Sequence, residues 1–555
     1  MKQKSVGLIV LLIHLAGFAR SPLYSADWSF PFQESSLNGF VKSETSQPLE
    51  GILVRARREG SHIAYTVITD TQGQYRFPQL DAGRYSVETP RAEGLEPGKR
   101  FVEIKAGQEG RLDFVLGKAK NMIQQMSGVD WLLSLPATPA QRGEVQGCGG
   151  CHTLYTLMKF RFDKDSWAKV IRMMGRTHQT GGGTVYDPSR FNGRPPRTEE
   201  QVQALAEFLA KVRGPEPLDL SNAKILPRPT GRSTRAIFTE YDIPYDQAEP
   251  HDLGVAKDGT VFWTDWRLGK LGKLDPKTGE MKYWEAPPLP GKPEAHPGTF
   301  QVVFDEEDNP WTTITWTGGL VKFDRKNDKF FTWLFPDLNP RRLIMTTRDH
   351  QRGRIWFGTD DYYGDFDLGY YVPKTGEYKV FDVPDHNGNR FIYGHVVDSK
   401  GNVYALKFGH SAIDRLDAET EKFTRYFTPT PNSAPRRGDY DSQDRIWFGE
   451  YNADQIGMLD PATGKITEYK LPIPEAKPYS VNVDRRTGLV WAAEYLADRF
   501  AALDPKTGEM REYLLPTKDS QVRIIDSYSV GDHSVIWFGA LPEYEKGKIV
   551  KLEAW

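Results

Sequence analysis

Ile466-Thr467-Glu468-Tyr469-Lys470-Leu471-Pro472 is one copy of a strand ending that recurs along the C-terminal part of the chain. In each copy an aromatic residue stands three positions before a proline, and these aromatics are Tyr241, Trp284, Trp333, Phe381, Tyr426, Tyr469 and Tyr513. A second strand centred on an aromatic recurs at Phe262, Trp311, Trp356, Tyr404, Trp447, Trp491 and Trp537. Both series repeat every 43 to 49 residues. Repeats of this length, with four short strands each, predict a β-propeller.

The order of the two series predicts how the ring closes. The chain enters the repeats with Ile237-Phe238-Thr239-Glu240-Tyr241-Asp242-Ile243-Pro244, a closing strand. It ends after Gly547 to Trp555, a third strand with no closing strand behind it. Residues 237–244 should therefore complete the last blade and pair both of its edges. We expect a seven-bladed propeller over residues 236–555.

Composition excludes several classes of protein. The 555 residues carry 72 Lys and Arg against 74 Asp and Glu, a net charge of −2, so no global field attracts nucleic acid. At 39% hydrophobic and 26% charged residues the chain can form buried cores and is not a disordered tail. With 2 cysteines it is not a disulfide-stapled scaffold.

The N-terminus has the pattern of a secretory signal. Lys2 and Lys4 precede the mostly apolar residues 6–19, and Ala19 or Ala26 offers a small-residue cleavage point. The apolar run is too short to span a bilayer as a helix. We expect residues 1–26 to be removed and the mature chain to be periplasmic or extracellular, without an integral membrane span. The alternative is an uncleaved anchor.

Residues 35–118 alternate short β-branched and aromatic runs with turn pairs such as Gln72-Gly73 and Ala82-Gly83. The motifs Pro48-Leu49-Glu50-Gly51 and 69–75 resemble those of the carboxypeptidase regulatory-like domain. That resemblance implies a transthyretin- or immunoglobulin-like β-sandwich without chemistry of its own.

Residues 119–214 have helical periodicity and carry the motif Cys148-Gly149-Gly150-Cys151-His152. Two thiols at this spacing can add to the vinyl groups of a haem, and the adjacent imidazole can then bind the iron. The alternatives are a redox dithiol, half a zinc site and a disulfide. The pattern favours one covalent haem c, followed by a linker over residues 215–235.

The helical segment resembles a small class I cytochrome c domain in its CxxCH motif, in residues 167–174 and in its last helix, 198–213. Members of that family use a methionine as the sixth iron ligand. The resemblance puts Met174 in this role, with Met173 and His178 as alternates. An open sixth position is the remaining alternative.

The sequence of the predicted blades, for example Arg445-Ile446-Trp447-Phe448-Gly449-Glu450, resembles that of the streptogramin B (virginiamycin B) lyase family. That family opens an ester ring by elimination, with Mg²⁺ held by His and Glu side chains and a histidine base. The resemblance assigns three of its four site positions to Glu249, His251 and Asp265, where aspartate replaces a glutamate. The fourth position, a histidine, falls near Ile525, where the chain has none.

Other strand starts predicted to face the central funnel carry Arg341 and Arg342, Tyr393, Arg436 and Arg437, and Tyr479. Converging arginines and tyrosines suit an anionic or aromatic-rich ligand. The alternative is a solvated rim.

The sequence therefore predicts a multidomain, mainly β protein that combines a sandwich, a small all-α haem domain and a propeller. The first hypothesis is an exported monohaem cytochrome that transfers electrons, with the propeller binding a small-molecule substrate or a redox partner protein. The second is a metal-dependent C–O lyase, and the third is a non-catalytic module for glycan or protein recognition. None of the three involves nucleic acid.

Overall fold

The computed structural model describes residues 37–150, 153–174, 197–216, 220, 223–288, 298–315, 318–335, 342–360, 366–384, 392–409, 411–542 and 546–555. The predicted signal peptide, 1–26, lies outside these residues. Among the described residues no helix has the length and apolar character needed to cross a bilayer.

The N-terminal domain is a sandwich of short strands: β1 (Leu37–Ser43), β2 (Leu53–Arg58), β3 (Ile63–Ile68), β4 (Gln74–Arg76), β5 (Gly83–Glu88), β6 (Lys99–Ile104), β7 (Gly110–Arg111) and β8 (Phe114–Leu116). One sheet is built on β1, which pairs with β4, β7 and β8, and the other contains β3-β2-β5-β6. Alternate residues of β1 are buried, as expected for a strand with one face on a core. The predicted sandwich is confirmed.

The helical segment contains α1 (Gly128–Ser134), α2 (Pro139–Gly147), α3 (Tyr155–Lys159), α4 (Lys164–Met174) and α5 (Glu199–Arg213). A capping box starts α5, with the Thr198 side chain accepting from the Gln201 amide and the Gln201 side chain from the Thr198 amide. Trp167 on α4 and Phe208 on α5 are buried between the helices.

Within the described residues the propeller has seven blades: six are separate four-stranded antiparallel sheets, and the seventh is four strands of a larger sheet. The first three blades contain β10 (Pro250–Val255), β11 (Val261–Asp265), β12 (Lys270–Leu274), β13 (Met281–Glu285); β14 (Val303–Phe304), β15 (Pro310–Ile314), β16 (Gly319–Asp324), β17 (Lys329–Leu334); β18 (Arg342–Asp349), β19 (Arg354–Asp360), β20 (Phe366–Tyr371), β21 (Tyr378–Phe381).

The next three blades contain β22 (Gly394–Val397), β23 (Val403–Lys407), β24 (Ala412–Leu416), β25 (Phe423–Phe427); β26 (Pro435–Tyr440), β27 (Ile446–Glu450), β28 (Gln455–Asp460), β29 (Lys465–Lys470); β30 (Pro478–Val483), β31 (Val490–Glu494), β32 (Arg499–Leu503), β33 (Met510–Leu514). The aromatics of the second strands, such as Trp447 and Trp491, are buried between blades.

The seventh blade is closed by the strand that enters the repeats. It contains β34 (Ile525–Val530), β35 (His533–Ala540) and β36 (Lys548–Ala554), and β36 pairs antiparallel with β9 (Ala236–Asp242). The predicted closure by residues 237–244 is confirmed by this register, in which Tyr241 faces Ile549.

The other edge of β9 pairs with β3 of the sandwich, so that blade and sandwich share one eight-stranded sheet. The described part of the predicted linker also lies against its neighbours. The Arg228 Nε donates to the Glu50 carbonyl at 3.0 Å, and the Leu226 amide donates to Asp130 Oδ1 at 2.7 Å. Sandwich, helices and propeller are therefore in contact with one another.

Candidate functional site

The site begins with a register that repeats from blade to blade. Pro250, Pro435 and Pro478 each pair with the acidic residue that ends the second strand of their blade. A β-bulge follows each proline, and such bulges re-aim side chains at the ends of sheets. The residues after the three prolines are His251, Arg436 and Tyr479.

The same register places Tyr393 in the fourth blade and Arg523 in the seventh at the equivalent position. Ile525, two residues after Arg523, pairs with Phe538, which lies two residues before the end of β35. Leu253, two residues after His251, pairs in the same way with Trp263 of β11. Five blades therefore present His251, Tyr393, Arg436, Tyr479 and Arg523 at one end of the propeller.

Arg436 is enclosed by aromatic rings. Its Cζ lies 3.5 Å from the ring centroid of Tyr479, 4.1 Å from that of Tyr393, 4.4 Å from that of Tyr451 and 4.9 Å from that of Phe408. We call Arg436 and these four rings the tyrosine cage. The hydroxyls of Tyr393 and Tyr479 are hydrogen-bonded to each other. Burial raises the pKa of a tyrosine, but Arg436, Arg437 and Arg523 overcome that effect and lower the pKa of Tyr393 to about 8.

A second group joins the first and fifth blades across the funnel. Both oxygens of Asp252 accept from the guanidinium of Arg437, and Oδ2 lies 2.8 Å from His251 Nδ1. Burial lowers the pKa of His251 to about 4, although the negative charge of Asp252 acts to raise it. The imidazole is therefore neutral near pH 7. With Nδ1 donating to Asp252, the Nε2 atom is the unprotonated acceptor of the ring. Trp266 and Phe300 pack on that ring at centroid distances of 5.6 and 4.8 Å.

The three residues assigned to a lyase-like metal site do not fit a Mg²⁺ site. Asp265 accepts backbone amides with both oxygens, from Glu249 at 3.1 Å and from Leu268 at 2.8 Å. Glu249 is paired with Arg267, and His251 is held by Asp252. No group of three His, Cys, Asp or Glu side chains in the described part of the chain is arranged to hold a metal ion. The carboxylate of Asp265 thus holds the loop that follows β11.

The structure brings together four of the six predicted funnel residues, Tyr393, Arg436, Arg437 and Tyr479. Of the other two, Arg341 lies outside the described residues and the side chain of Arg342 outside the described atoms. Sequence reasoning missed Arg523, Tyr451 and Tyr495. The last two follow the acidic ends of β27 and β31, and the repeated dipeptide Glu-Tyr at 450–451 and 494–495 was a signal for them.

The CxxCH motif begins where α2 ends. Cys148 is the C-terminal cap of α2 and starts a 3₁₀ turn, Cys148–Gly150. Its half-buried thiol donates to the Glu144 carbonyl at 3.7 Å. Cys151 and His152 lie outside the described residues, so covalent haem attachment and iron ligation by His152 stay predictions.

Of the predicted sixth ligands, Met173 and Met174 are the last residues of α4, and His178 lies outside the described residues. The side chain of Met173 is 51% exposed and that of Met174 is 49% exposed. Thioethers with half their surface exposed are not needed to fill the helical core. This exposure does not distinguish the two methionines, and the choice of Met174 as the sixth ligand stays a prediction.

The helical domain sits on the funnel end of the sixth and seventh blades. A Cβ on Gly149, between the two cysteines, would lie 3.3 Å from Leu496 Cδ2, and the Val129 amide donates to the Leu496 carbonyl at 3.1 Å. On either side of the motif, Gln146 bonds to Glu475 and Thr153 to Asp519. These propeller residues belong to the loops at the strand ends that form the funnel.

Two packed tyrosines connect the motif to the tyrosine cage. Tyr495 directly precedes Leu496 in the chain, and its ring centroid lies 5.1 Å from that of Tyr479. Tyr479, Tyr495, Leu496 and core residues of α1 and α2 form one hydrophobic cluster. The haem motif and the arginine-rich funnel therefore share a continuous interior.

Two family models match the chain. The virginiamycin B lyase family matches residues 374–552, and the carboxypeptidase regulatory-like domain matches residues 36–117. These matches cover the last four blades and the sandwich. They agree with two of the three resemblances in the sequence.

Solved structures give the same fold for the propeller. The chain is 20% identical to virginiamycin B lyase from Staphylococcus aureus, with a TM-score of 0.50, over 58% of this chain and 100% of that one. A streptogramin B lyase structure is 21% identical, with a TM-score of 0.51, over 59% of this chain and 100% of that one. At these identities the likeness shows the fold and carries no activity with it.

A curated relative matches a short stretch of the chain. Serine-aspartate repeat-containing protein D of Staphylococcus aureus (strain Newman) is 31% identical over 68 residues, which is 12% of this chain and 5% of that protein. The chain thus spans a small fraction of the relative's length.

Proposed function

We propose that the chain is an exported haem c protein that takes one electron from a molecule bound in the propeller funnel and gives it to a redox partner protein. The observation that supports this proposal is the packing of the CxxCH segment beside the funnel, where a Cβ added to Gly149 would lie 3.3 Å from Leu496 Cδ2. The N-terminal signal pattern supports export, because covalent haem attachment to CxxCH generally takes place outside the cytoplasm.

The side chains that could hold a haem are two thiols, an imidazole and a thioether, the set used by class I cytochromes c. Cys148 and Cys151 would hold the porphyrin covalently, and His152 and Met174 would ligate the iron. When bound, haem c supplies a one-electron acceptor next to the funnel.

The funnel residues would bind and orient the electron donor. Arg436 would attract negative charge, and the rings of the tyrosine cage would exclude water from the bound molecule. His251 is neutral and presents Nε2 as an acceptor, so it can accept a hydrogen bond from the bound molecule. A proton that the donor loses with its electron would pass to solvent, because a pKa of about 4 disfavours its retention on His251, and the oxidised partner protein would remove the electron.

The test of this proposal is covalent haem. Purified from a host that matures c-type cytochromes, the protein should keep its Soret absorbance through acid-acetone extraction, because thioethers are not extracted. Cys148→Ser with Cys151→Ser should abolish that absorbance while the far-ultraviolet circular dichroism is retained. Met173→Ala, a substitution in the same domain outside the motif, should keep the haem. Wild-type protein without covalent haem would overturn the proposal.

A further inference from the structure

Arg436 is a buried cation with no counter-ion among the residues that the structure describes. The residue is 4% exposed, and its Nε atom has no hydrogen-bond partner. Among the described residues no carboxylate lies within ion-pair distance of it, and its neighbours are the rings of the cage. A buried charge left without a partner is costly unless a ligand supplies the opposite charge.

The neighbouring charges do not remove this excess. Arg437 is neutralised by Asp252. Arg523 brings a third guanidinium toward Tyr393 and Tyr479, and it interacts with Glu249, which is itself shared with Arg267. Among the described residues, the carboxylates of Asp252 and Glu249 are engaged by Arg437 and Arg267, and neither forms an ion pair with Arg436. The hydroxyls of Tyr393 and Tyr479 add hydrogen-bonding groups at the same place.

The rest of the lining is aromatic. Phe408 and Tyr451 pack on each other at 5.7 Å between centroids, and Trp266 and Phe300 pack at 4.4 Å beside His251. Rings of this kind favour a flat, apolar ligand body by edge-to-face or stacked contact. A planar guanidinium matches a carboxylate better than a spherical ion, because it donates through two parallel bonds.

We infer that the funnel binds an aromatic carboxylate, with its carboxylate on Arg436 and its ring among the aromatic side chains. This rests on the proposed function in taking the funnel as the ligand site, and it names the chemical class of the ligand.

The experiment is isothermal titration calorimetry of the full chain with benzoate, benzamide and inorganic phosphate. Benzamide has the shape of benzoate without its charge, and phosphate has charge without a ring. Benzoate should bind, and both other probes should bind at least about tenfold more weakly, the loss expected for a charge-assisted hydrogen bond.

The variant that tests the site is Arg436→Gln, which should weaken benzoate binding about tenfold or more. Arg354→Gln is the matched control, because Arg354 also stacks on a tyrosine, Tyr370, at 4.0 Å, but outside the funnel. Should Arg436→Gln fail to fold, Arg436→Lys keeps the charge and removes the planar fork, and it should weaken binding less. Equal binding of benzoate and benzamide, unchanged binding in the folded Arg436 variant, or tighter binding of phosphate would overturn the inference.

This result is independent of the haem. Benzoate binding that persists in Cys148→Ser with Cys151→Ser would support the inference even if the wild type carried no covalent haem. Covalent haem with no benzoate binding would overturn the inference alone and leave electron transfer standing.

Discussion

Thr66 of the sandwich and Phe238 of the propeller face each other in an antiparallel ladder that crosses the boundary between the two domains. The closing strand β9 thus has both edges paired, with β36 on the propeller side and β3 on the sandwich side. Unpaired strand edges are sites of aggregation, so this pairing protects the seam of the ring. The sandwich is therefore a structural part of the seventh blade.

Arg55→Met should show how strongly the sandwich supports that blade. Arg55 of β2 bonds to Glu240 of β9 at 3.3 Å, and the Glu240 side chain is 0% exposed. Removing the cation leaves a buried carboxylate without its ion-pair partner, and we expect the free energy of unfolding to fall by about 3 kcal/mol. This free energy is measured by guanidinium chloride denaturation, monitored by tryptophan fluorescence.

Arg84→Met is the control for this prediction. Arg84 and Glu59 form an exposed pair at 3.8 Å in the same domain, and exposed pairs contribute at most about 1 kcal/mol. Equal losses in the two variants, or a sandwich that unfolds separately from the propeller, would show that the shared sheet does not couple the domains.

Glu450→Gln should change the pH dependence of stability. Burial raises the pKa of Glu450, and the nearby Glu468 raises it further, to about 8 from an ordinary value of 4.5. A carboxyl with a raised pKa in the folded state favours folding below pH 4.5, and this contribution is lost as pH rises through about 8. The wild-type melting temperature should therefore fall between pH 4.5 and about pH 8. The melting temperature of Glu450→Gln should fall less and should be higher than that of the wild type at pH 8. The control Glu59→Gln, which changes an exposed carboxyl, should behave as the wild type, and an equally steep fall in Glu450→Gln would contradict the assignment.

The blades could be predicted from sequence because each repeat carries its own signals. The buried aromatics and the turn residues of one repeat lie within about 45 residues of one another, so the repeat can be recognised from the sequence alone. The pairing of β3 with β9 has no such signal. Both strands are short and contain apolar and β-branched residues. A single sequence carries no pattern that predicts which strand edges of two domains pair with each other.

The funnel was predicted in part for a similar reason. Pro250, Pro435 and Pro478 mark the strand starts that precede His251, Arg436 and Tyr479. The seventh blade has Val522 in place of the proline, so Arg523 was hidden until the register of β34 with β35 was known. The engagement of Asp265 by two backbone amides was likewise beyond the sequence, because it depends on the loop after β11.

Met174→Ala should remove the sulfur-to-iron charge-transfer band that a methionine-ligated ferric haem shows in the far red. Met173→Ala is a close structural control, since the two side chains end the same helix with nearly equal exposure. Neither substitution should cost much stability, because half of each side chain is already in water. Loss of the band in Met173→Ala alone would reassign the ligand, and a wild type without the band would favour His178 or an open position.

Addition of Mg²⁺ or EDTA should leave the melting temperature and the haem spectrum unchanged. A cation bound only by the folded protein would stabilise it by mass action, and the carboxylate of Asp265 is already used by the Glu249 and Leu268 amides. Asp265→Ala should instead cost about 1–3 kcal/mol with or without Mg²⁺, because two amides lose their acceptor, and Asp265→Asn should cost less because it keeps one oxygen. Calorimetric melting of the three proteins in both conditions measures this. Turnover of a streptogramin B depsipeptide that is lost on adding EDTA, together with Mg²⁺ stabilisation of the wild type but not of Asp265→Ala, would instead establish the lyase chemistry.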